Sequence, residues 1–171
     1  MIHQATLAAE APAVPNWAGR SAFVLALLGL GESIYLTYDH FTGTLPVCAS
    51  HGAIDCQKVT TSAQSHVFGI PVALLGLIYF VFVVAVNVPA LWRSLDVRVH
   101  WARLGLAVGG MGMVIYLLVA ELFLIKAICL WCTGVHIITF LLFVLTVAFA
   151  PFMVGAGRGW DDEGEEWDQP S

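Results

Sequence analysis

The sequence predicts an all-α integral membrane protein: a four-transmembrane-helix bundle with one extracytoplasmic loop between helices 1 and 2. Three observations carry that prediction. The 171 residues are 59% hydrophobic and only 11% charged, too few charges to cover a soluble surface of this size. Four apolar segments each approach the roughly 20 residues that cross about 30 Å of hydrocarbon. The polar residues left over gather in one substantial loop, in the short inner connection 93–103 and at the two ends.

Residues 1–19 lack the basic start of a cleavable signal and are expected to form a disordered cytoplasmic leader. The membrane domain is expected over 20–153, with spans at 21–38, 69–92, 103–125 and 129–153. Helices satisfy their own backbone groups in lipid, so helices rather than strands are expected. Gly105, Gly109, Gly110 and Gly112 give the third span a small-residue face for close helix packing. Residues 154–171 form an acidic tail, expected to be disordered and cytoplasmic. The stretch after Pro151 holds Arg158 against six acids, which accounts for the whole formal charge of −5. The remainder is neutral and has no basic stripe, which argues against a nucleic-acid partner.

Orientation follows from Lys and Arg. With both termini cytoplasmic, the inner side carries Arg20, Arg93, Arg98, Arg103 and Arg158, and the outer side only Lys58 and Lys126, as the positive-inside rule requires. The expected location is a cell inner or plasma membrane, multi-pass. The one substantial loop, about residues 39–68, then faces outward. Its Thr, Ser and Gly content predicts only partial helicity.

All four cysteines fall on or near that outer face: Cys48 and Cys56 in the loop, and Cys129 and Cys132 as a C-x-x-C opening the fourth helix. Three chemistries compete. Structural disulfides suit an oxidising compartment. A four-thiolate zinc site would want shorter knuckles than C-x7-C. A dithiol–disulfide relay suits a C-x-x-C at a helix N-terminus, where free N–H groups and the helix dipole favour a thiolate, the species that attacks disulfides. A relay also needs a sink, and a membrane quinone takes the two electrons and two protons that one dithiol delivers.

CASHGAIDC, the following QKVTTSAQSHVFGIPVALLG and the CLWC of the last helix resemble the vitamin K epoxide reductase (VKOR) family, in particular its bacterial thiol-oxidising members. The loop pair precedes the C-x-x-C pair, the reverse of the order in the DsbB family, which does the same job. The resemblance implies a bundle around a quinone pocket near the outer surface, with menaquinone or ubiquinone as acceptor. It implies that Cys48 exchanges with the partner, Cys56 passes electrons to Cys129, and Cys132 lies beside the quinone. It also implies a DsbA-like thioredoxin-fold partner, expected as a separate protein. Animal members place an Asn and a Tyr on the quinone oxygens; Ser65 or His66 and His136 stand at those positions here. Phe68 matches an aromatic that packs at the quinone, and Ser62 a loop serine near the relay with capping as its plainer role.

The sequence thus reads as an oxidoreductase acting on sulfur groups with a quinone acceptor. The rivals are a vitamin K epoxide or quinone reductase of the animal type and a non-enzymatic, disulfide-stapled scaffold. Two acids lie within the spans. Glu121 is expected to snorkel outward beside Lys126, and Glu32 to hydrogen-bond Tyr35 or Tyr116 or to serve a proton path. His51 and Asp55 either tune the loop cysteines or are solvated.

Overall fold

The computed structural model describes residues 14–44, 48, 52–93 and 96–158. The leader up to residue 13, His51 and the tail beyond residue 158 lie outside the described residues.

Helix α1 is Asn16–Thr42, longer at both ends than the span read from hydropathy. Pro15, in extended conformation, precedes its first turn, and Gly43 at φ 68° closes it in the left-handed region, where glycine is unstrained. Its buried stripe is Ala18, Gly19, Ala22, Ala26, Gly29, Ser33 and Thr37, small residues three and four apart. They let the neighbouring helices approach closely; the ring of fully buried Phe80 occupies the space that a Cβ on Gly29 would need.

After the loop come the short helix α2 (Cys56–Thr60), a 3-10 turn at Ala63–Ser65, and a minimal antiparallel hairpin of β1 (His66–Val67) and β2 (Ile70–Pro71). Both hairpin turn residues, Phe68 and Gly69, have positive φ, as a tight two-residue hairpin requires. Helix α3 spans Val72–Val86. The hairpin uses residues 69–71 that hydropathy assigns to the span. At the other end the Asn87 side chain donates to the Val83 carbonyl at 2.8 Å, and a 3-10 turn, Pro89–Arg93, follows.

Helix α4 spans Val97–Val119 and is capped by Asp96, whose carboxylate accepts the Arg98 N–H. It starts six residues before the predicted span. The polar sequence VRVHWAR hides two helical turns because Arg103 is folded inward. Its guanidinium lies 4.4 Å over the Trp92 ring, donates to the Val86 carbonyl at 2.7 Å and meets His100 Nδ1 at 3.1 Å. A π turn, Ala120–Ile125, continues the helix until Lys126 at φ 55°. Helix α5 is Leu130–Arg158.

Helix α1 packs against α3 and α5, α4 packs against α5, and α3 touches α4 more lightly. The core between them is Ala22, Ala26, Phe80, Val83, Ile138 and Leu142 with Trp92 at one end. Large apolar residues such as Leu28, Phe82, Val108 and Ile137 point outward from all four helices, a surface suited to lipid. Among the described residues, three helices are long and apolar enough to cross a membrane, Asn16–Thr42, Val97–Ile125 and Leu130–Pro151. Helix α3, at 15 residues, reaches about 22 Å and falls short of a full crossing by itself. The expected small-residue face of the third span is also corrected. Gly110 meets Tyr79 and Thr139, but Gly105, Gly109 and Gly112 have open space beside them; the close-packing stripe belongs to α1.

Candidate active site

A parallel backbone bridge joins Ile54 of the loop to Ile128, just ahead of the C-x-x-C. The Ile128 N–H donates to the Ala53 carbonyl at 2.9 Å, and the Asp55 N–H donates to the Ile128 carbonyl at 3.1 Å. Two residues beyond Ile54 is Cys56, and one beyond Ile128 is Cys129. The bridge therefore sets these two cysteines side by side. Both are buried, at 2% and 0% exposure, in one cluster with Val59, Ala120, Ile125 and Ala127, against which Cys48, Trp131 and Cys132 pack. Cys48 and Cys56 are joined in a disulfide, and Cys129 and Cys132 are free thiols.

Local structure fixes each cysteine. Asp55 caps α2 by accepting the Lys58 N–H at 2.9 Å, which holds Cys56 at the first helical position. Asp55 thus acts on Cys56 through the backbone. Cys129 stands at the N-cap of α5. Its carbonyl accepts both the Thr133 N–H and the Thr133 hydroxyl at 2.9 Å, and its sulfur accepts the Cys132 N–H at 3.4 Å. Cys129 precedes the spanning stretch Leu130–Pro151. The Cys132 thiol bonded to its sulfur, helped by the N–H groups of Cys132 and Trp131, holds it below the ordinary thiol range against burial and the charge of Glu121. The Trp131 ring packs on Tyr35 of α1, with centroids 4.7 Å apart, so the turn carrying the C-x-x-C is fixed to the bundle.

Cys132 faces the other way, into a cavity of about 500 Å³, a size suited to a drug-sized ligand. Apolar residues from α1, α3, α4 and α5, among them Leu36, Leu75, Met113, Leu117 and Val135, form most of its wall. His136, one turn after Cys132, also lines it; it is 5% exposed, and its Nδ1 has no hydrogen-bond partner. Ser62, Ser65 and His66 line the loop side. Ser65 Oγ lies 3.1 Å from His66 Nδ1 and donates to the Ser62 carbonyl, and the His66 ring meets His40 edge-on. Ser62 donates its own hydroxyl to the Val59 carbonyl and makes no side-chain cap.

Of the expected site residues, Cys132, Ser65, His66 and His136 share this cavity, and Cys56 and Cys129 meet behind it. Phe68 does not join them. It occupies the exposed hairpin turn, fully accessible, because the two-residue turn directs it away from the bundle. Glu121 also departs from expectation. It is 4% exposed and lines the cavity, because the π turn rotates it inward while Lys126 turns out. Glu32 lies against α5 at Gly134, where a Cβ would stand 2.7 Å from its Oε1, and its buried Oε2 has no partner. Asp39, His40 and Tyr79 also line the cavity; no spacing in the sequence marks them.

The cavity fits a quinone head group. It is apolar, it has a thiol in its wall, and the orphaned Nδ1 of His136 awaits a hydrogen-bonding partner. The model of the Vitamin K epoxide reductase family matches residues 21–147, well over half of the chain, and the chain belongs to that family. It is accordingly a membrane protein of a thiol-oxidoreductase family that is generally quinone-linked.

Proposed function

We propose, with that membership as premise, that the protein is a quinone-dependent thiol oxidase that reoxidises a separate DsbA-like thioredoxin-fold protein and so supports disulfide formation. The observation that carries this is the buried cluster that gathers the loop disulfide and Cys129, while Cys132 of the same C-x-x-C lines an apolar cavity. In the proposed arrangement both termini are cytoplasmic and the cysteines lie at the extracytoplasmic face. Helix α3 with its following 3-10 turn completes a fourth crossing.

The chemistry divides between the two pairs. A thiolate of the partner attacks Cys48 and forms a mixed disulfide with it; the Cys48–Cys56 bond breaks and Cys56 leaves as the thiolate, and the partner's second thiol then attacks the mixed disulfide, which releases Cys48 as a thiol and the partner in its oxidised form. Cys56, now reduced, attacks Cys129 of an oxidised inner pair; the Cys56–Cys129 bond forms and the electron pair of the broken bond stays on Cys132. Cys48 then attacks Cys56 and releases Cys129. The loop disulfide is restored and the inner pair is a dithiol, which is the arrangement described above. Menaquinone or ubiquinone, when bound in the cavity, supplies a sink for two electrons and two protons. His136, with Ser65 and His66 at the loop side, would hold its oxygens, and the apolar wall excludes water. With Ser65 and His136 where animal members have Asn and Tyr, quinone reduction is favoured over an epoxide cycle.

The test mixes the purified protein with reduced DsbA-like partner and a soluble quinone and follows quinone absorbance. Wild type reduces the quinone. Cys132→Ser keeps the fold and the loop disulfide but loses the reduction. An inert wild type, or a fully active Cys132→Ser chain, sinks the proposal.

A further inference from the structure

Among the polar groups on the cavity wall that the relay leaves without a task, Glu121 stands out. Glu121 is a carboxylic acid in the apolar end of a spanning helix, an expensive placement that calls for a reason. It is 4% exposed, and it lines the same cavity as Cys132. Its neighbours in the π turn, Ala120 and Ile125, pack directly on the cluster of Cys56 and Cys129. The π turn itself is a local departure from α-helix of the kind that recurs at functional sites, and its effect here is to aim Glu121 inward.

Cys132 needs a proton acceptor. It lines the cavity, whereas Cys129 is fully buried behind it, so the electrons must leave through Cys132. Cys132 is a free thiol on the cavity wall, and the thiolate is the reactive species, so its proton must be shed first. Among the described residues the cavity's other carboxyl group is Asp39, whose Oδ1 accepts the Thr44 hydroxyl at 2.9 Å and whose Oδ2 is unpartnered; it belongs to the end of α1, whereas Glu121 belongs to the turn that packs on the cysteine cluster.

We propose that Glu121 is the base that takes the thiol proton of Cys132 before the inner pair is oxidised. The step is a proton transfer alone. The S–H bond of Cys132 breaks, an O–H bond forms on Glu121, and the electron pair stays on sulfur for the quinone-class acceptor. The assignment rests on the relay reading, and it gives the cavity a base beside the thiol and a separate hydrogen-bonding group, His136, one turn deeper.

Two measurements on the purified full-length chain decide it, made with the loop disulfide intact and the inner thiols reduced. The first is the rate of Cys132 alkylation by N-ethylmaleimide as a function of pH, which requires no quinone. The titration is read in a Cys129→Ser background, which removes the neighbouring thiol; interacting groups titrate together, so the chain with wild-type Glu121 shows two inflections and Glu121→Gln shows one. Asp39, His40, His66, Tyr79 and His136 share the cavity and Lys126 is exposed; all are unchanged in the variant, so the difference isolates Glu121. The second is single-turnover oxidation of the inner pair by a soluble quinone. Glu121→Gln slows it about 100-fold, within the range of general base catalysis, and Glu121→Asp restores part of the rate. A single inflection in the chain with wild-type Glu121 overturns the assignment. So does a Glu121→Gln chain oxidised at the wild-type rate or faster, the outcome if the carboxylate merely repels the thiolate. Two inflections in that chain with a wild type inert to quinone overturn the acceptor and support the thiol–carboxyl pair.

Discussion

His136 offers a prediction with two coupled signs. Its Nδ1 is buried and has no hydrogen-bond partner, and an unsatisfied buried polar atom costs about 1–3 kcal/mol. Replacing the residue by leucine removes the orphan at a packing cost below about 1.5 kcal/mol. The ligand-free protein is therefore expected to hold or gain stability by up to about 2 kcal/mol, which at about 2–4 °C per kcal/mol for a chain of this size is a rise of a few degrees in melting midpoint. Bound quinone would have satisfied that nitrogen, so the same substitution removes about 1–3 kcal/mol of binding, about a 5- to 150-fold rise in KM. The assay pairs a melting curve in detergent without quinone with steady-state quinone reduction. A melting midpoint that falls by several degrees with KM unchanged would refute the reasoning and make His136 an ordinary packing residue of α5.

Three further outcomes follow from the geometry. In a Cys48→Ser/Cys132→Ser chain, mild oxidation joins Cys56 to Cys129, read by mass spectrometry of the digested protein; crosslinked dimers in its place would contradict the Ile54–Ile128 docking. Gly29→Ala forces a Cβ into the ring of Phe80 and costs about 1–3 kcal/mol, whereas Gly105→Ala, with nothing within 4 Å, is neutral or gains up to about 1 kcal/mol of helix propensity; melting midpoints of the two chains compare them. Phe68→Ser leaves the KM for quinone unchanged, because that ring does not reach the cavity; a rise of tenfold would restore it to the site.

The placement of the cysteines was legible because it depends on short spacings and on which end of a span a residue occupies. C-x-x-C at a helix start can be read directly, and the distance from Cys56 to Asp55 and its cap is one residue. What the sequence hid depends on local geometry that hydropathy does not encode. Helix α4 begins early because Arg103 is taken inside by Trp92 and the Val86 carbonyl, so a charged stretch that looks like a connection is helix. Glu121 reads as an outward-reaching acid when an α-helix is assumed, and the π turn reverses its direction. Phe68 lies two residues from His66, close enough in sequence to belong to the pocket, yet a tight turn with positive φ carries it away. Glycines are dense on α4 but mostly face open space there; the close-packing stripe on α1 mixes Ala18, Gly19, Ala22, Ala26, Gly29 and Ser33 at three- and four-residue spacing, which a count of glycines does not reveal.

The segment from Val59 to His66 has a double position. It begins within the helix that Cys56 opens, and it also forms the loop-side wall of the cavity. The aqueous terminal of the circuit and the roof over its lipid-side terminal are thus one continuous piece of chain. Any movement that swings Cys56 toward an incoming protein must drag that roof along. If the proposed relay holds, docking of the electron donor and exchange of the spent carrier would be mechanically geared, and a rigid staple between this segment and α1 would slow both traffics together.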